Sequence, residues 1–203
     1  AFRDMTQIRF EVPRWIPERC TACGDCYTVC PDSAIPGLVN SIGEICDTAI
    51  RRIETGGRPT RHLRRAVRIV EKKLRAVIAA AGAEVKVQVL RDRVIDATLA
   101  ESALAPDERA GLAQEFEWFR ESLGEFEFAV TRPYYHVKEK QAAGSGGLFS
   151  LTVNPYTCKG CMECVAVCAD AALESVKQTP EGVEQLRRHW DYWLDLPSTA
   201  PDY

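Results

Sequence analysis

Eight of the nine cysteines in this 203-residue chain fall into two short runs with the same spacing. The first run reads CTACGDCYTVCP (20–31) and the second reads CKGCMECVAVC (158–168), so each presents C-x2-C-x2-C-x3-C. Cys20 therefore corresponds to Cys158, and the rest of each run aligns from there. Two-residue gaps let a short loop offer three thiolates to one compact iron–sulfur cube. The repeated pattern predicts two 4Fe–4S clusters.

The fourth cysteine of each run is expected to bind the cluster of the other run. A short helical turn would carry it away from its own loop, and this exchange is the arrangement found in two-cluster ferredoxins. The ligands of the first cluster would then be Cys20, Cys23, Cys26 and Cys168. The ligands of the second would be Cys158, Cys161, Cys164 and Cys30.

Three other uses of these cysteines remain open at this stage. Structural zinc usually takes two well-separated pairs of ligands, and four crowded thiols suit it poorly. Disulfides need an oxidising compartment and do not require a duplicated pattern. A degraded three-iron cluster is the third alternative.

The composition of the chain limits which cellular compartment and which classes of binding partner are expected. The net charge of −3 gives no basic excess for nucleic acid, and no apolar run reaches membrane-spanning length. The N-terminal stretch AFRDMTQIRF lacks the apolar core of a signal peptide. Nine cysteines without a secretory signal predict a reducing, cytoplasmic location. The missing initial methionine and the tail LPSTAPDY suggest a segment of a longer polypeptide.

Other residues near the ligands fit cluster chemistry. Gly24 and Gly160 lack a Cβ, so their backbone N–H groups are expected to approach cluster sulfurs and to tune the reduction potential. An apolar jacket is expected from Val29, Val165 and Val167. The ninth cysteine, Cys46, lies on an apolar helical stripe and is predicted to be a core residue. The histidines are scattered and are expected to be surface or packing residues.

The long segment between the two runs reads as helices. The capping-box pattern Ser41-Ile-Gly-Glu44 and the Gly56-Gly57 stop predict a helix over 41–55. A second helix follows Pro59-Thr60 and ends at Gly82, and a third begins at Pro106 and ends at Gly124. Residues 84–100 are ambiguous, because alternating valines precede a helical pattern.

Basic residues are concentrated in one part of this segment. Ten lysines and arginines but two acidic residues lie between Arg51 and Arg75. One interpretation is that these basic residues form the solvated face of a helix. The alternative is that they form a docking surface for an acidic electron carrier or another subunit.

Strands are predicted beside the cysteine runs, where Ile8, Phe10 and Val12 alternate before the first and residues 148–153 alternate before the second. Thr179-Pro180 starts a C-terminal helix whose aromatic stretch HWDYWLDLP (189–197) is expected to pack against something beyond this segment. The predicted class is α+β, a two-cluster ferredoxin-like core with a long helical insertion. Its domains are 1–36 with 148–178 for the clusters, 37–147 for the insertion, and 179–203 for a helix and linker toward a neighbouring domain.

Residues around the two runs resemble a known family. The stretches VPRWIPERCTACGDCYTVCPDSAI (12–35) and TVNPYTCKGCMECVAVC (152–168) are similar to the ferredoxin-like domain of the pyruvate:ferredoxin and other 2-oxoacid:acceptor oxidoreductases. Trp15-Ile16-Pro17-Glu18, Cys30-Pro31 and Asn154-Pro155 carry the resemblance, which covers about residues 8–36 and 148–176. The insertion is longer than the linker that is usual in this family.

The resemblance implies a role for the segment. In the family a thiamine diphosphate domain, with magnesium and coenzyme A, decarboxylates a 2-oxoacid, and electrons leave through 4Fe–4S clusters. This segment would relay them to an external ferredoxin or flavodoxin, with no catalytic residue of its own, inside an oligomeric parent enzyme. Three other interpretations stay open: a stand-alone two-cluster ferredoxin, an electron-transfer subunit of another oxidoreductase, and a scaffold whose clusters are structural.

Overall fold

A computed structural model, which describes residues 4–81 and 86–203, contains two small antiparallel sheets and a group of helices. The strands are β1 (Glu11–Trp15), β2 (Gly37–Ser41), β3 (Gly147–Leu151) and β4 (Leu173–Lys177). The helices are α1 (Asp25–Val29), α2 (Ile42–Thr55), α3 (Leu63–Ala81), α4 (Val87–Ala100), α5 (Pro106–Leu123), α6 (Val137–Gln141), α7 (Glu163–Ala166) and α8 (Pro180–Asp195). This mixture of helices and small sheets agrees with the predicted α+β class. None of the helices in the described residues is both long enough and apolar enough to cross a membrane.

Each sheet joins a strand near the first cysteine run to one near the second. β1 pairs with β4, with Glu11 opposite Lys177 and Trp15 opposite Leu173. β2, within the predicted insertion, pairs with β3, with Ser41 opposite Gly147. The helical segment therefore leaves the sheets from β2 and returns to them at β3. The predicted domain boundaries themselves stay a prediction.

The first strand begins later than its alternating pattern predicts. Ile8 and Phe10 are 63% and 87% exposed, and the strand starts at Glu11. Just before it, Asp4 accepts a hydrogen bond from the Thr6 N–H and caps a short 3-10 turn over Met5–Gln7. The predicted strand start at Ile8 is therefore wrong, because this capped turn occupies the chain leading up to it.

Four helices of the insertion, α2 to α5, each bury an apolar stripe. In α2 the Ser41 hydroxyl accepts the Glu44 N–H and the Glu44 carboxylate accepts the Ser41 N–H, so the predicted capping box is present. In α5 the buried stripe is Leu112, Phe116, Phe119 and Leu123, and this helix ends before Gly124, as expected. The ambiguous stretch is helical from Val87 to Ala100. The predicted end at Gly82 and the start of the alternating valines lie outside the described residues.

A buried carboxylate from α5 caps the beginning of α3. Glu115 is 5% exposed, and its Oε1 accepts the N–H of Arg61 at 2.8 Å. Its Oε2 accepts the N–H groups of His62 and Leu63 at 3.0 and 2.7 Å. The first backbone N–H groups of a helix have no partner within the helix, and a negative charge there is favourable. Glu115 thus ties two neighbouring helices together.

Most of the basic residues between Arg51 and Arg75 have acidic partners. The ion pairs are Arg52–Asp195, Arg58–Glu121, Arg64–Glu54, Arg68–Asp47, Lys73–Glu101 and Arg75–Glu139. Much of the positive charge is therefore matched within the chain. The docking hypothesis for this segment stays a prediction.

The C-terminal helix packs on the helical core of this chain. Tyr192 and Leu196 are buried in that core, and the Tyr192 ring lies against Phe126. The residues that follow cover β2: the Val39 N–H donates to Thr199 Oγ1 at 2.9 Å, and the Asn40 side chain donates to the Pro197 carbonyl at 2.8 Å. Leu194 in the same stretch is 57% exposed, and packing against a neighbouring domain stays a prediction.

Replacing Glu115 by alanine should destabilise the helical segment. The change leaves three backbone N–H groups without their charged acceptor, so we expect the free energy of unfolding to fall by about 3 kcal/mol. Glu117→Ala on the same helix removes an exposed carboxylate paired with Arg120 and should change it by less than about 0.5 kcal/mol. Urea unfolding followed by circular dichroism measures both. Equal losses would contradict the capping role.

Candidate metal centre

The structure brings the eight cysteines of the two runs into two sets of four. One cavity is lined by Cys20, Cys23, Cys26 and Cys168. A second cavity is lined by Cys30, Cys158, Cys161 and Cys164. Each run thus contributes three thiols to one cavity and its fourth thiol to the other. These are the two sets that the predicted ligand exchange requires, and their role as ligands stays a prediction.

Short helices produce this exchange. α1 follows the first loop and contains Cys26, and Cys30 comes immediately after its last residue. α7 takes the equivalent place after the second loop, with Cys168 two residues beyond its end. α1 and α7 pack against each other, so each fourth cysteine emerges beside the other run.

The donor sets fit a polynuclear cluster. Within residues 4–81 and 86–203, no three His, Cys, Asp or Glu side chains converge as the ligands of one metal ion. The thiols instead surround the two cavities from several sides. A 4Fe–4S cluster takes one thiolate at each iron, whereas zinc draws its four ligands to a single point. The residues present therefore suit two iron–sulfur clusters better than two zinc ions.

The backbone of the two loops repeats in detail. When the runs are aligned at Cys20 and Cys158, three pairs of equivalent residues have positive φ: Ala22 and Gly160, Gly24 and Met162, and Ser33 and Ala171. This left-handed conformation costs about 1–3 kcal/mol for a residue other than glycine. Only Gly24 and Gly160 are glycines, so both loops hold the same strained shape. Because the same strained conformation recurs at equivalent positions of both loops, we infer that function requires this loop shape.

Backbone N–H groups point at the thiols of the fourth cysteines. The Ala34 N–H lies 3.2 Å from Cys30 Sγ, and the Ala172 N–H lies 3.2 Å from Cys168 Sγ. These donors occupy equivalent positions after the two runs, and they favour a negatively charged sulfur. The sequence reasoning missed them, because alanine at these positions carries no sign of its backbone geometry.

Glycine is required at position 160 for a reason other than the expected approach of its backbone N–H to a cluster sulfur. Its φ is +70°, and an added Cβ would lie 2.6 Å from the carbonyl oxygen of Glu11 in β1. Burial raises the pKa of the Cys158 thiol, and the backbone N–H of Gly160 opposes that shift. Gly24 likewise has a positive φ, and a Cβ there would meet the Tyr27 hydroxyl at 2.6 Å. Gly160 is therefore needed for loop shape because a side chain there meets backbone, whereas at position 24 only the exposed Tyr27 side chain would have to move.

Apolar side chains line the first cavity, although Cys23 and Cys161 are exposed. Trp15, Phe149 and Leu151 line the first cavity, and the Trp15 and Phe149 rings meet edge to face at 6.0 Å. Of the predicted valine jacket, Val29 and Val165 pack against this core while partly buried. Burial raises the pKa of Cys26 to about 11 and that of Cys164 to about 12. Because iron binds the thiolate, loading these sites must release protons.

Polar contacts join the two runs at matched positions. Thr21 Oγ1 donates to Asp170 Oδ2 at 2.6 Å, and Lys159 Nζ lies 2.6 Å from Asp32 Oδ1. The two aspartates are equivalent in the alignment of the runs, as are Thr21 and Lys159. Exposed contacts of this kind contribute little free energy. These contacts instead fix the position of one loop relative to the other.

The ninth cysteine lies away from both cavities. Cys46 is 5% exposed in the core formed by the insertion helices, as predicted. Burial raises its pKa to about 12, so the thiol stays protonated and unreactive at neutral pH. His189 packs edge to face on Phe126, which fits the expected packing role.

Comparison with known proteins supports cluster binding by the first cysteine run. Residues 12–35 match a family model described as a 4Fe-4S binding domain. No curated protein and no solved structure matches the chain. The matched residues contain Cys20, Cys23, Cys26 and Cys30, whereas the second run lies outside them. This stretch is thus similar to a 4Fe–4S binding domain of the ferredoxin-like kind, which favours iron–sulfur electron transfer.

Replacing Gly160 by alanine should disturb the second loop and β1 together. The change combines a left-handed φ with a backbone collision, so we expect the unfolding free energy to fall by about 3 kcal/mol and bound iron to decrease. Gly57→Ala is the matched control, because φ there is +81° and no heavy atom lies within 4 Å of the added Cβ. This control should lower the unfolding free energy by about 1 kcal/mol and leave the amount of bound iron unchanged. Anaerobic urea unfolding and iron analysis measure both effects.

One outcome of these measurements would contradict the prediction for Gly160. If Gly160→Ala and Gly57→Ala were equally stable and bound equal iron, the close approach of the second loop to Glu11 would have no energetic importance.

Proposed function

We propose that this chain holds two 4Fe–4S clusters and relays electrons one at a time. The observation that carries the proposal is the pair of cavities, each surrounded by four thiols and built by loops of matching backbone conformation. The first cluster would be held by Cys20, Cys23, Cys26 and Cys168. The second would be held by Cys30, Cys158, Cys161 and Cys164. When bound, such clusters supply one-electron redox chemistry at low potential.

The chain's own residues control the surroundings of that chemistry. Trp15, Phe149 and Leu151 limit the access of water to the first cavity. The N–H groups of Ala34 and Ala172 donate to the sulfurs of the exchanged cysteines and stabilise their negative charge. Exchange of one cysteine between runs would place the two clusters side by side, which short-range electron transfer requires. We assign no catalytic acid, base or nucleophile to this chain.

We propose further that the electrons come from a 2-oxoacid, with pyruvate the first candidate. The support is the resemblance carried by Trp15-Ile16-Pro17-Glu18 and Asn154-Pro155 to the 2-oxoacid:ferredoxin oxidoreductases. A thiamine diphosphate domain of the same chain or complex, using magnesium and coenzyme A, would supply the electrons. An external ferredoxin or flavodoxin would accept them.

The family-like residues have local structural roles that support the cluster part of this proposal. The Asn154 N–H donates to the Ala34 carbonyl at 2.7 Å, and the Cys158 N–H donates to the Asn154 carbonyl at 3.1 Å. Asn154 therefore links the second loop to the chain that follows the first. Pro17 is buried in a 3-10 turn that leads directly to Cys20. These contacts favour a defined geometry of the loops and leave the electron donor to experiment.

An independent electron carrier, or a subunit of another oxidoreductase, is the second candidate. The packing of α8 and the tail favours it: Tyr192 is buried in the helical core, and Thr199 and Pro197 cover the edge of β2. A C-terminal helix that is buried against its own chain is suited to a separate folding unit. The helical insertion is then part of the carrier's own architecture.

Metal analysis of anaerobically prepared protein tests the cluster proposal. We expect about eight irons and eight sulfides per chain. Cys161→Ser alters one thiol of the second set and should reduce iron toward about four. Cys46→Ala is the control, because this cysteine lies in the helical core, and it should keep about eight irons. Zinc in place of iron, or iron unaffected by Cys161→Ser, would refute the assignment.

The source of electrons requires a separate experiment. The intact parent protein is mixed anaerobically with coenzyme A and one 2-oxoacid at a time, and cluster reduction is followed by EPR. Reduction that depends on both compounds supports the 2-oxoacid role. Clusters that dithionite reduces but no 2-oxoacid does would support the second candidate.

A further inference from the structure

A buried arginine lies beneath the second cysteine loop. Arg9 is 5% exposed although it belongs to the short segment before β1. Its Nη1 donates to the carbonyl oxygens of Pro155 and Cys158, both at 2.7 Å. Its Nε donates to the side chain of Gln178. The guanidinium is therefore fixed against the chain that enters the second loop.

Arg9 forms no ion pair with a carboxylate in the part of the chain that the structure describes. The Asp4 carboxylate pairs with Arg187 at 3.7 Å and attracts Arg9 from beyond ion-pair distance. The Nη2 atom of Arg9 is buried and makes no hydrogen bond. A buried charge with little compensation costs several kcal/mol, so a nearby anion would stabilise it. Arg9 is thus suited to a further negative group in its surroundings.

Arg9 does not line the second cavity itself, but it contacts the loop that does. Cys158, whose carbonyl Arg9 contacts, is one of the four thiols that line it. The backbone is close here as well, because a Cβ on Gly160 would lie 3.1 Å from the Cβ of Arg9. The guanidinium therefore contacts the residue that supplies one of the four thiols.

We propose that Arg9 is the counter-ion of the cluster held by Cys30, Cys158, Cys161 and Cys164, and that it raises the reduction potential of that cluster. This inference rests on the proposed function, because it needs a cluster in the second cavity. A 4Fe–4S centre with four thiolates carries a net charge of about −2 when oxidised and about −3 when reduced. A nearby fixed cation stabilises the reduced state more, which raises the potential.

The first cavity has no equivalent residue. The alignment of Cys20 with Cys158 places Gly147 opposite Arg9, and glycine has no side chain. Arg9 therefore breaks the near-symmetry of the two sites and makes their potentials different. Unequal potentials decide where a single electron resides between its arrival and its departure.

Three variants test this inference in the whole chain under anaerobic conditions. Arg9→Gln removes the charge, and Arg9→Lys keeps it while losing the forked geometry. Arg75→Gln is the control, since Arg75 is a partly buried arginine of the helical segment that pairs with Glu71 and Glu139. Iron content and an EPR-monitored redox titration are measured for each variant and for the wild type.

The expected result is a change in one cluster only. In Arg9→Gln, one of the two midpoint potentials becomes more negative. The ratio of reduced to oxidised cluster at the wild-type midpoint falls about tenfold, which is about 59 mV for one electron. Arg9→Lys stays close to wild type, and Arg75→Gln leaves both potentials unchanged. If Arg9→Gln instead retains about four irons while Arg9→Lys retains about eight, the need for a cation is equally supported.

Two outcomes overturn the inference. Arg9→Gln with both potentials unchanged would show that the cation does not act on either cluster. Equal defects in Arg9→Gln and Arg9→Lys would show that hydrogen-bond geometry, rather than charge, is what Arg9 supplies. A wild-type protein with only about four irons would instead refute the second cluster itself, before any variant is compared.

Discussion

The architecture depends on holding two cysteine loops side by side although more than half of the chain separates them. Neither set of four thiols exists without the other run, because Cys168 completes the first set and Cys30 completes the second. The β1–β4 and β2–β3 ladders bring the runs together, and the packing of α1 on α7 places the exchanged cysteines. Loss of either ladder would therefore separate the ligands of both sites at once.

This constraint also explains why a long helical segment can sit between the runs. The cost of closing a loop grows slowly, by about 0.6 kcal/mol for each doubling of its length. What matters is that its two ends meet, and Ser41 pairs with Gly147 at the point where the helices leave and return. The helices then supply their own buried core, with local caps such as Ser41 and the long-range cap from Glu115. The insertion therefore adds a second hydrophobic core without disrupting the strand pairing of the two sheets.

Sequence reasoning succeeded where a short stretch determines its own structure. The capping box at Ser41 and Glu44 set the start of α2, and the spacing of the cysteines identified both loops. It failed at Ile8 and Phe10, because alternation does not reveal the capped turn that comes before the strand. The roles of Glu115 and Arg9 depend on residues that are distant in the chain, and no local pattern indicates them. The left-handed Ala22 and Met162 were equally hidden, since neither is glycine.

The central claim is that each cavity holds one tetranuclear iron cluster whose ligands come from both runs. Anomalous diffraction at the iron edge, from crystals grown without oxygen, tests it most directly. The account predicts two strong peaks, one bounded by Cys20, Cys23, Cys26 and Cys168 and the other by Cys158, Cys161, Cys164 and Cys30. A single peak, or a peak whose fourth cysteine comes from its own run, would contradict it.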